Sequence, residues 1–132
     1  MKIKQKFSIG KKGFNFNDVR QVIDLLRDKV NNDTIVVVKK SCGYFTLDEC
    51  GYGWTKNDAT VYCKQIDSPE KTTSCISDLL ILLHDLQYNK NFLSDEIIRF
   101  GTSKPSKTGR PYSIQGILYC EQDDLVTLEF GA

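Results

Sequence analysis

The sequence is poor in the residues that usually build a metal centre. It has one histidine, His84, and five cysteines, none of which form a Cys-x-x-Cys pair. Structural zinc sites are typically built from closely spaced ligand pairs, so a site here would have to collect thiolates from distant segments. We therefore expect no metal and no cofactor. We expect the cysteines, which are odd in number, to be reduced and mostly buried thiols that act as small apolar side chains. These thiols are Cys42, Cys50, Cys63, Cys75 and Cys120.

The sequence also lacks an excess of charge of one sign and a long apolar run. Lys plus Arg number 18 and Asp plus Glu 17, so the formal net charge is +1. This balance argues against a dedicated DNA-coating protein, which needs a strongly basic face, although a local basic patch remains open. The longest apolar run, residues 79–83, is too short to span a bilayer, and residues 1–6 lack the apolar stretch of a signal peptide. We expect a cytoplasmic protein without a membrane partner.

What is present is the pattern of one α+β domain over residues 1–132, a length that can bury one core. Asn17 as N-cap, with Asp18 in the first turn, predicts an amphipathic helix over 17–30. A second, more apolar helix begins near Thr73 or Ser74 and runs through Leu86. Alternation and β-branched runs predict seven strands. They lie at residues 1–9, 34–38, 44–47, 59–66, 95–100, 112–120 and 125–130.

The spacing of the apolar residues also predicts which of them form the core. We expect these side chains to be buried: Val22, Ile23, Leu26, Val36, Leu79, Leu80, Leu83, Ile98 and Leu118.

The second half of the chain resembles the first, which predicts an internal duplication. At an offset of 57 residues, the apolar positions of 19–28 match those of 76–85, and residues 61–65 match 118–122. Residues 33–36 match 95–98 if five residues are inserted after the second helix. Chance similarity between two amphipathic helices followed by strands is the alternative. The pseudo-repeats would span about 17–66 and 74–130, each a helix, a strand, a variable loop and a strand.

Two such units predict a two-layer sandwich: a mostly antiparallel sheet with both helices on one face. The layout resembles small phage and bacterial mobile-element proteins, on the stretch 17–38 and the ending 111–130. Some proteins of that group counter host immune systems. The resemblance therefore implies an inhibitor of a host system.

No catalytic set emerges from the sequence, and we expect a protein that is not an enzyme. His84 lies mid-helix beside Asp85, which predicts a solvent-facing residue in place of a general base. Residues 51–54 contain two glycines but lack the following helix and the Lys-Ser/Thr pair of a phosphate loop. A Cys–His nucleophile pair drawn from distant segments remains an alternative.

Two loops have the composition of binding sites. The first, residues 41–55, holds Tyr44, Tyr52 and Trp54 among three glycines, so that aromatic rings and close backbone approach are both available. The alternative is that its aromatics close one end of the core. The second loop, residues 104–111, carries the cations Lys104, Lys107 and Arg110, which suit an anionic group. Its alternative is a solubilising surface loop.

These observations predict a small interaction protein that binds a protein partner through the aromatic loop, with a homo-oligomer left open. The alternative is a binder of a nucleotide or single-stranded nucleic acid. In that case the aromatic residues would stack on bases and the three cations would meet phosphates. A cysteine-dependent enzyme is the second alternative.

Overall fold

The computed structural model describes residues 4–8, 13–40, 43–47, 59–88, 97–102 and 112–130. The two α-helices and seven strands within these ranges confirm the predicted α+β class. In chain order they are β1 (Lys4–Ser8), α1 (Phe16–Leu25), β2 (Ile35–Lys40), β3 (Gly43–Thr46), β4 (Ala59–Ile66), α2 (Ile76–Tyr88), β5 (Ile98–Thr102), β6 (Tyr112–Cys120) and β7 (Leu125–Phe130). The predicted bounds of β4, β6 and β7 are those of the structure.

The seven strands form one mixed sheet in the order β1-β6-β5-β4-β3-β2-β7, and β6 pairs with β7 as well. The pairings from β2 through β7 and back to β2 therefore close into a ring, and β1 lies beside β6 outside that ring. Five pairs are antiparallel, as predicted, while β2–β7 and β4–β5 are parallel. A two-layer sandwich presumes an open sheet, so the ring departs from that expectation. The placement of both helices on one face stays a prediction.

The N-cap of the first helix lies two residues before the predicted one. Asn15 is the N-cap, and a capping box joins it to Asp18. The Asp18 N–H donates to Asn15 Oδ1 at 2.8 Å, and the Asn15 N–H donates to Asp18 Oδ2 at 2.9 Å. Asn17, the predicted cap, is an exposed residue of the helix. The helix ends at Leu25, short of the predicted residue 30, and a polar turn follows.

The residues before each helix are held by the strand that follows the other helix. The Ile98 N–H donates to the Phe14 carbonyl at 3.0 Å, and the Val36 N–H donates to the Ser74 carbonyl at 2.9 Å. Gly13 has a φ of +90°, and a Cβ there would overlap the Ser113 side chain. Glycine is therefore required where the chain enters between β5 and β6.

One cluster of buried side chains draws on both helices and on strands from both halves of the chain. The predicted core is confirmed for Val22, Leu26, Val36, Leu79, Leu83 and Ile98. Ile23, Leu80 and Leu118 are only half-buried. On α2 the buried arc includes Leu82 and Leu86, so Leu80 lies at its edge. Leu118 points away from the face of β6 that carries the buried Ile117 and Tyr119, because neighbours on a strand face opposite ways.

Two of the five cysteines, Cys63 and Cys120, are buried thiols, and Cys75 is half-buried. Cys42 and Cys50 lie outside the described residues. None of the helices in the described part of the chain is long and apolar enough to cross a bilayer.

Candidate functional site

Tyr44 is the one predicted binding residue that falls within the described ranges. It lies on β3, half-buried, with the Lys39 Nζ 6.0 Å from its ring centroid. The predicted site residues Tyr52, Trp54, Lys104, Lys107 and Arg110 lie outside the described residues. The binding site inferred from the two loops therefore stays a prediction.

The strands fix where those two loops leave the sheet. Residues 48–58 connect the end of β3 to the start of β4, and residues 103–111 connect the end of β5 to the start of β6. Because β4 and β5 are parallel, the start of β4 and the end of β5 lie at opposite ends of the strand pair. The loops are thus anchored at opposite ends, and the described strands lend no support to one site shared by both.

A cleft of about 360 Å³ opens between α1, the turn after it and the first turns of α2. This volume is within the range of small-molecule and side-chain pockets, which begins at about 300 Å³. The floor is apolar and is formed by Ile23, Val30, Ile76 and Leu80. The rim is polar and is formed by Arg20, Asp24, Arg27, Asn31 and Asn32.

The polar turn that forms one wall of the cleft is fixed by hydrogen bonds. The Asn31 side chain accepts from the Asp33 N–H at 2.8 Å, a turn that Asn favours. The Asn31 N–H donates to Thr34 Oγ1 at 3.0 Å. The Ser77 N–H donates to the Asn32 carbonyl at 3.0 Å, which ties the turn to the first turn of α2. The wall therefore holds a fixed position relative to α2.

Of the two arginines on the rim, Arg27 has an ion-pair partner and Arg20 has none among the described residues. Arg27 Nη2 lies 2.9 Å from Asp24 Oδ1, and both side chains are exposed. Arg20 is half-buried, and it makes no hydrogen bond or ion pair with any residue that the structure describes. Its guanidinium offers five donors, which are costly to leave unused where water is partly excluded. The charges of Arg20, Arg27 and Asp24 leave the rim with one net positive charge.

A row of side chains on α2 continues from the cleft. Leu80, His84 and Tyr88 follow one another at four-residue spacing and so lie on one line, about 12 Å long. The rings of His84 and Tyr88 are stacked, with centroids 4.3 Å apart and planes 29° apart. Ile81 lies beside the row and is 64% exposed, and Tyr88 is 67% exposed. The predicted solvent exposure of His84 is confirmed.

A second cleft, also of about 360 Å³, lies between β1 and α1. Phe7, Phe14 and Val22 contribute apolar surface to it, and Lys6 and Asp18 contribute charge. Both of these charges already have partners: Lys6 Nζ lies 3.7 Å from Glu129 Oε1, and Asp18 belongs to the capping box. The α1–α2 cleft differs in that Arg20 carries donors without a described acceptor.

A group of hydroxyls between β2, β3 and the start of α2 has a structural role. Ser74 Oγ donates to the Val36 carbonyl at 2.9 Å, and Thr72 Oγ1 donates to the same oxygen at 2.6 Å. Thr46 Oγ1 lies 3.1 Å from Ser74 Oγ. Among the described residues these hydroxyls contact one another and backbone groups, with no acid or base among their partners. The group therefore satisfies buried polar atoms and offers no activated nucleophile.

Tyr119 links the turn after α1 to the β6–β7 turn. Its hydroxyl donates to the Lys29 carbonyl at 3.1 Å and lies 3.3 Å from Asp124 Oδ1. Thr34 Oγ1 donates to the same carboxylate oxygen at 3.2 Å. Burial raises the pKa of the Tyr119 phenol above its ordinary value, and the Asp124 carboxylate raises it further by opposing a second negative charge.

The described residues also bear on the cysteine-dependent alternative. Cys75, just before α2, donates its S–H to Asp78 Oδ2 at 3.3 Å. Cys75 and His84 are nine positions apart, about 13 Å along the helix, so they do not form a nucleophile–base pair. Cys63 and Cys120 are buried while His84 is exposed. Within the described ranges, no group of three or more His, Cys, Asp or Glu side chains could hold a metal ion.

The sequence did contain signals for this surface. Ile81 and Tyr88 are large apolar or aromatic residues that fall outside the buried arc of α2. Arg20 and Asp24 share one face of α1 at four-residue spacing, and Arg27 follows in the turn after the helix. What the sequence could not supply was that this face of α1 lies beside the first turns of α2.

Comparison of the chain with protein-family models, with curated proteins and with solved structures found no match.

Proposed function

We propose that the protein binds a protein partner through the α1–α2 cleft and the row Leu80, His84 and Tyr88. The observation that carries the proposal is the stacked pair of His84 and Tyr88, which lies in solvent and is continuous with the apolar floor of the cleft. Single exposed apolar residues are common and need no explanation, but a contiguous row that leads into a cleft is characteristic of a docking surface.

The chemistry of the row suits a protein interface. Tyrosine is enriched at the energetic centres of interfaces, because it buries a large area while losing little side-chain entropy. The stack with His84 already restricts the Tyr88 ring, so part of its ordering cost is met before binding. The partner is a protein, as the sequence predicts. The proposed contact surface, however, lies on α2 and not on the aromatic loop.

Photo-crosslinking from α2 tests the proposal. A photoreactive amino acid at Ile81 should give a discrete crosslinked adduct in the cells that produce the protein, since Ile81 borders the row. The matched control is the same amino acid at Lys64, an exposed residue of β4. Tyr88→Ala should weaken the adduct from position 81 without changing the far-ultraviolet circular dichroism. Equal labelling from both positions, or no discrete adduct from position 81, would contradict the proposal.

We also propose that the two halves are duplicated units, α1-β2-β3-β4 and α2-β5-β6-β7. Exchanging the units maps each of the four antiparallel pairs within the ring onto another, and it maps the parallel pair β4–β5 onto the parallel pair β7–β2. Isolated bridges join Asn15 to Ile97 and Cys75 to Ile35, so the residue before each helix pairs at the start of the strand that follows the other helix. Asp18 and Asp78 accept from the backbone N–H of Asn15 and Cys75 in the same way.

These equivalences change the alignment that the sequence predicts. Asn15 and Cys75 differ by 60 positions, in place of 57, and the buried Val19 and Leu79 then coincide. The predicted match of 33–36 with 95–98 agrees with the bridges, because Ile35 and Ile97 take equivalent places. The predicted match of residues 61–65 with 118–122 pairs β4 with β6, whereas the exchange of units pairs β4 with β7.

A further inference from the structure

The unused donors of Arg20 indicate what the partner presents to the cleft. Arg20 is a half-buried cation beside the apolar floor of Ile23 and Leu80, and it has no acceptor among the described residues. Arg27, seven residues later in the turn after α1, is instead paired with Asp24. A planar guanidinium without a described partner matches the geometry of a carboxylate or a phosphate.

The charge of the rim favours a carboxylate. One net positive charge remains after Asp24 is counted, which balances a single carboxylate and falls short of a polyanionic phosphate chain. The first amides of α2 do not form a phosphate cradle either. The Ile76 and Ser77 N–H groups donate to the Thr34 and Asn32 carbonyls, and the Cys75 N–H donates to Asp78. The anion-binding capacity of this helix start is therefore already used.

The row on α2 favours a helical partner over an extended one. An extended segment needs open backbone groups to pair with, and the backbone groups of α2 are used within the helix. A partner helix satisfies its own backbone and can lay an apolar ridge along Leu80, Ile81, His84 and Tyr88. Helix-in-groove recognition of this kind uses side chains alone, and the stacked rings of His84 and Tyr88 provide such a side-chain surface.

We infer that the partner segment is an amphipathic α-helix whose apolar face covers the α2 row and which presents one Asp or Glu carboxylate to Arg20. This inference rests on the proposed function and names the chemistry of its partner. The carboxylate would accept two N–H donors of the guanidinium, and the apolar ridge would exclude water from that pair. Both the strength and the specificity of the contact then depend on Arg20.

A displayed library of helical 16-residue peptides, panned against the full chain, tests the inference. Binders of the wild-type chain should share apolar residues at three- and four-residue spacing and one acidic residue at a constant distance from them. A synthetic binder whose acidic residue is changed to the matching amide should bind about 10- to 100-fold more weakly. The same change should have no effect on binding to the Arg20→Ala chain.

Arg27→Ala is the matched control, because it removes the same charge from the same rim of the cleft. It should weaken binding less than about threefold, since Arg27 is exposed and paired with Asp24. Arg20→Lys keeps the charge but loses the fork of donors, and it should fall between Arg20→Ala and the wild type. Panning against Arg20→Glu should enrich Lys or Arg at the place of the acidic residue.

The outcomes separate this inference from the proposed function. Peptides that need Tyr88 but no acidic residue would overturn the carboxylate while leaving the docking surface in place. Equal losses from Arg20→Ala and Arg27→Ala would reduce the effect to general charge and would also overturn it. Failure to enrich any helical peptide would count against both the inferred partner helix and the proposed docking surface. Perturbation of the Arg20 guanidinium nuclear magnetic resonance signal by inorganic phosphate or nucleotides, without peptide binding, would replace both with an anion site.

Discussion

Val36 and Ser74 hold each other through two hydrogen bonds. The Val36 N–H donates to the Ser74 carbonyl at 2.9 Å, and the Ser74 hydroxyl donates to the Val36 carbonyl, also at 2.9 Å. Ser74 is fully buried. The pair joins β2 of the first half to the segment that leads into α2 of the second half. We therefore expect the stability of the fold to depend on the Ser74 hydroxyl oxygen.

Ser74→Ala should lower the free energy of unfolding by about 1–2 kcal/mol, because a buried hydrogen bond is lost and Thr46 loses a hydroxyl neighbour. Urea denaturation monitored by circular dichroism measures the change. Thr73→Ala is the control, since Thr73 is exposed and its hydroxyl lies 3.4 Å from Thr46 Oγ1. Its effect should stay below about 0.5 kcal/mol. Equal costs for the two variants would mean that the buried hydroxyl is not structurally important.

The start of α1 provides a second pair of variants. Asn15→Ala removes the side chain that caps the helix and should cost about 0.5–2 kcal/mol of stability. Asn17→Ala replaces an exposed helical residue with a better helix former, so it should be neutral or slightly stabilising. Thermal unfolding of the two variants distinguishes the observed cap from the one that the sequence predicts. A larger loss from Asn17→Ala would place the cap at residue 17.

The leucines of α2 separate the core from the proposed docking row. Leu83→Ala should cost about 2–5 kcal/mol, because Leu83 is fully buried and its loss leaves a cavity. Leu80→Ala should cost about 1 kcal/mol or less, since Leu80 is half-buried at the edge of the core. Leu80→Ala should nevertheless weaken the binding of helical peptides. Comparable losses of stability from both variants would show that Leu80 is a central core residue, as the sequence predicts.

Tyr119 should make stability fall at high pH. Its folded-state pKa lies above the unfolded value of 10.0, so its contribution is fully present below pH 10 and is lost as the pH rises through the folded-state value. Urea denaturation between pH 8 and pH 12 should show a steeper loss for the wild type than for Tyr119→Phe. At neutral pH the variant should cost about 0.5–1.5 kcal/mol through loss of the bond to the Lys29 carbonyl. Parallel pH profiles would contradict the assignment.

Local patterns predicted the elements better than their arrangement. The alternation of β6 and β7 and the Asp-rich turn between them gave the correct hairpin, because its register depends on residues close in sequence. The parallel pairing of β2 with β7 leaves no local signal, since Ile35 and Leu125 are 90 positions apart. Arg20 likewise follows the periodicity of an ordinary solvated helix face. Its candidate role appears only when the turn at 31–33 and the start of α2 are seen beside it.

The parallel contact between β2 and β7 also bears on the order of events during protein synthesis. β2 emerges from the ribosome before its partner β7, since Ile35 and Leu125 are 90 positions apart in the chain. Until then β2 lacks one neighbour, and the apolar run Val36–Val37–Val38 has an exposed strand edge of the kind that promotes aggregation. Contacts between residues so far apart in the chain also slow folding. A nascent chain of this protein therefore depends on β7, or on a chaperone that shields β2 until β7 has been synthesised.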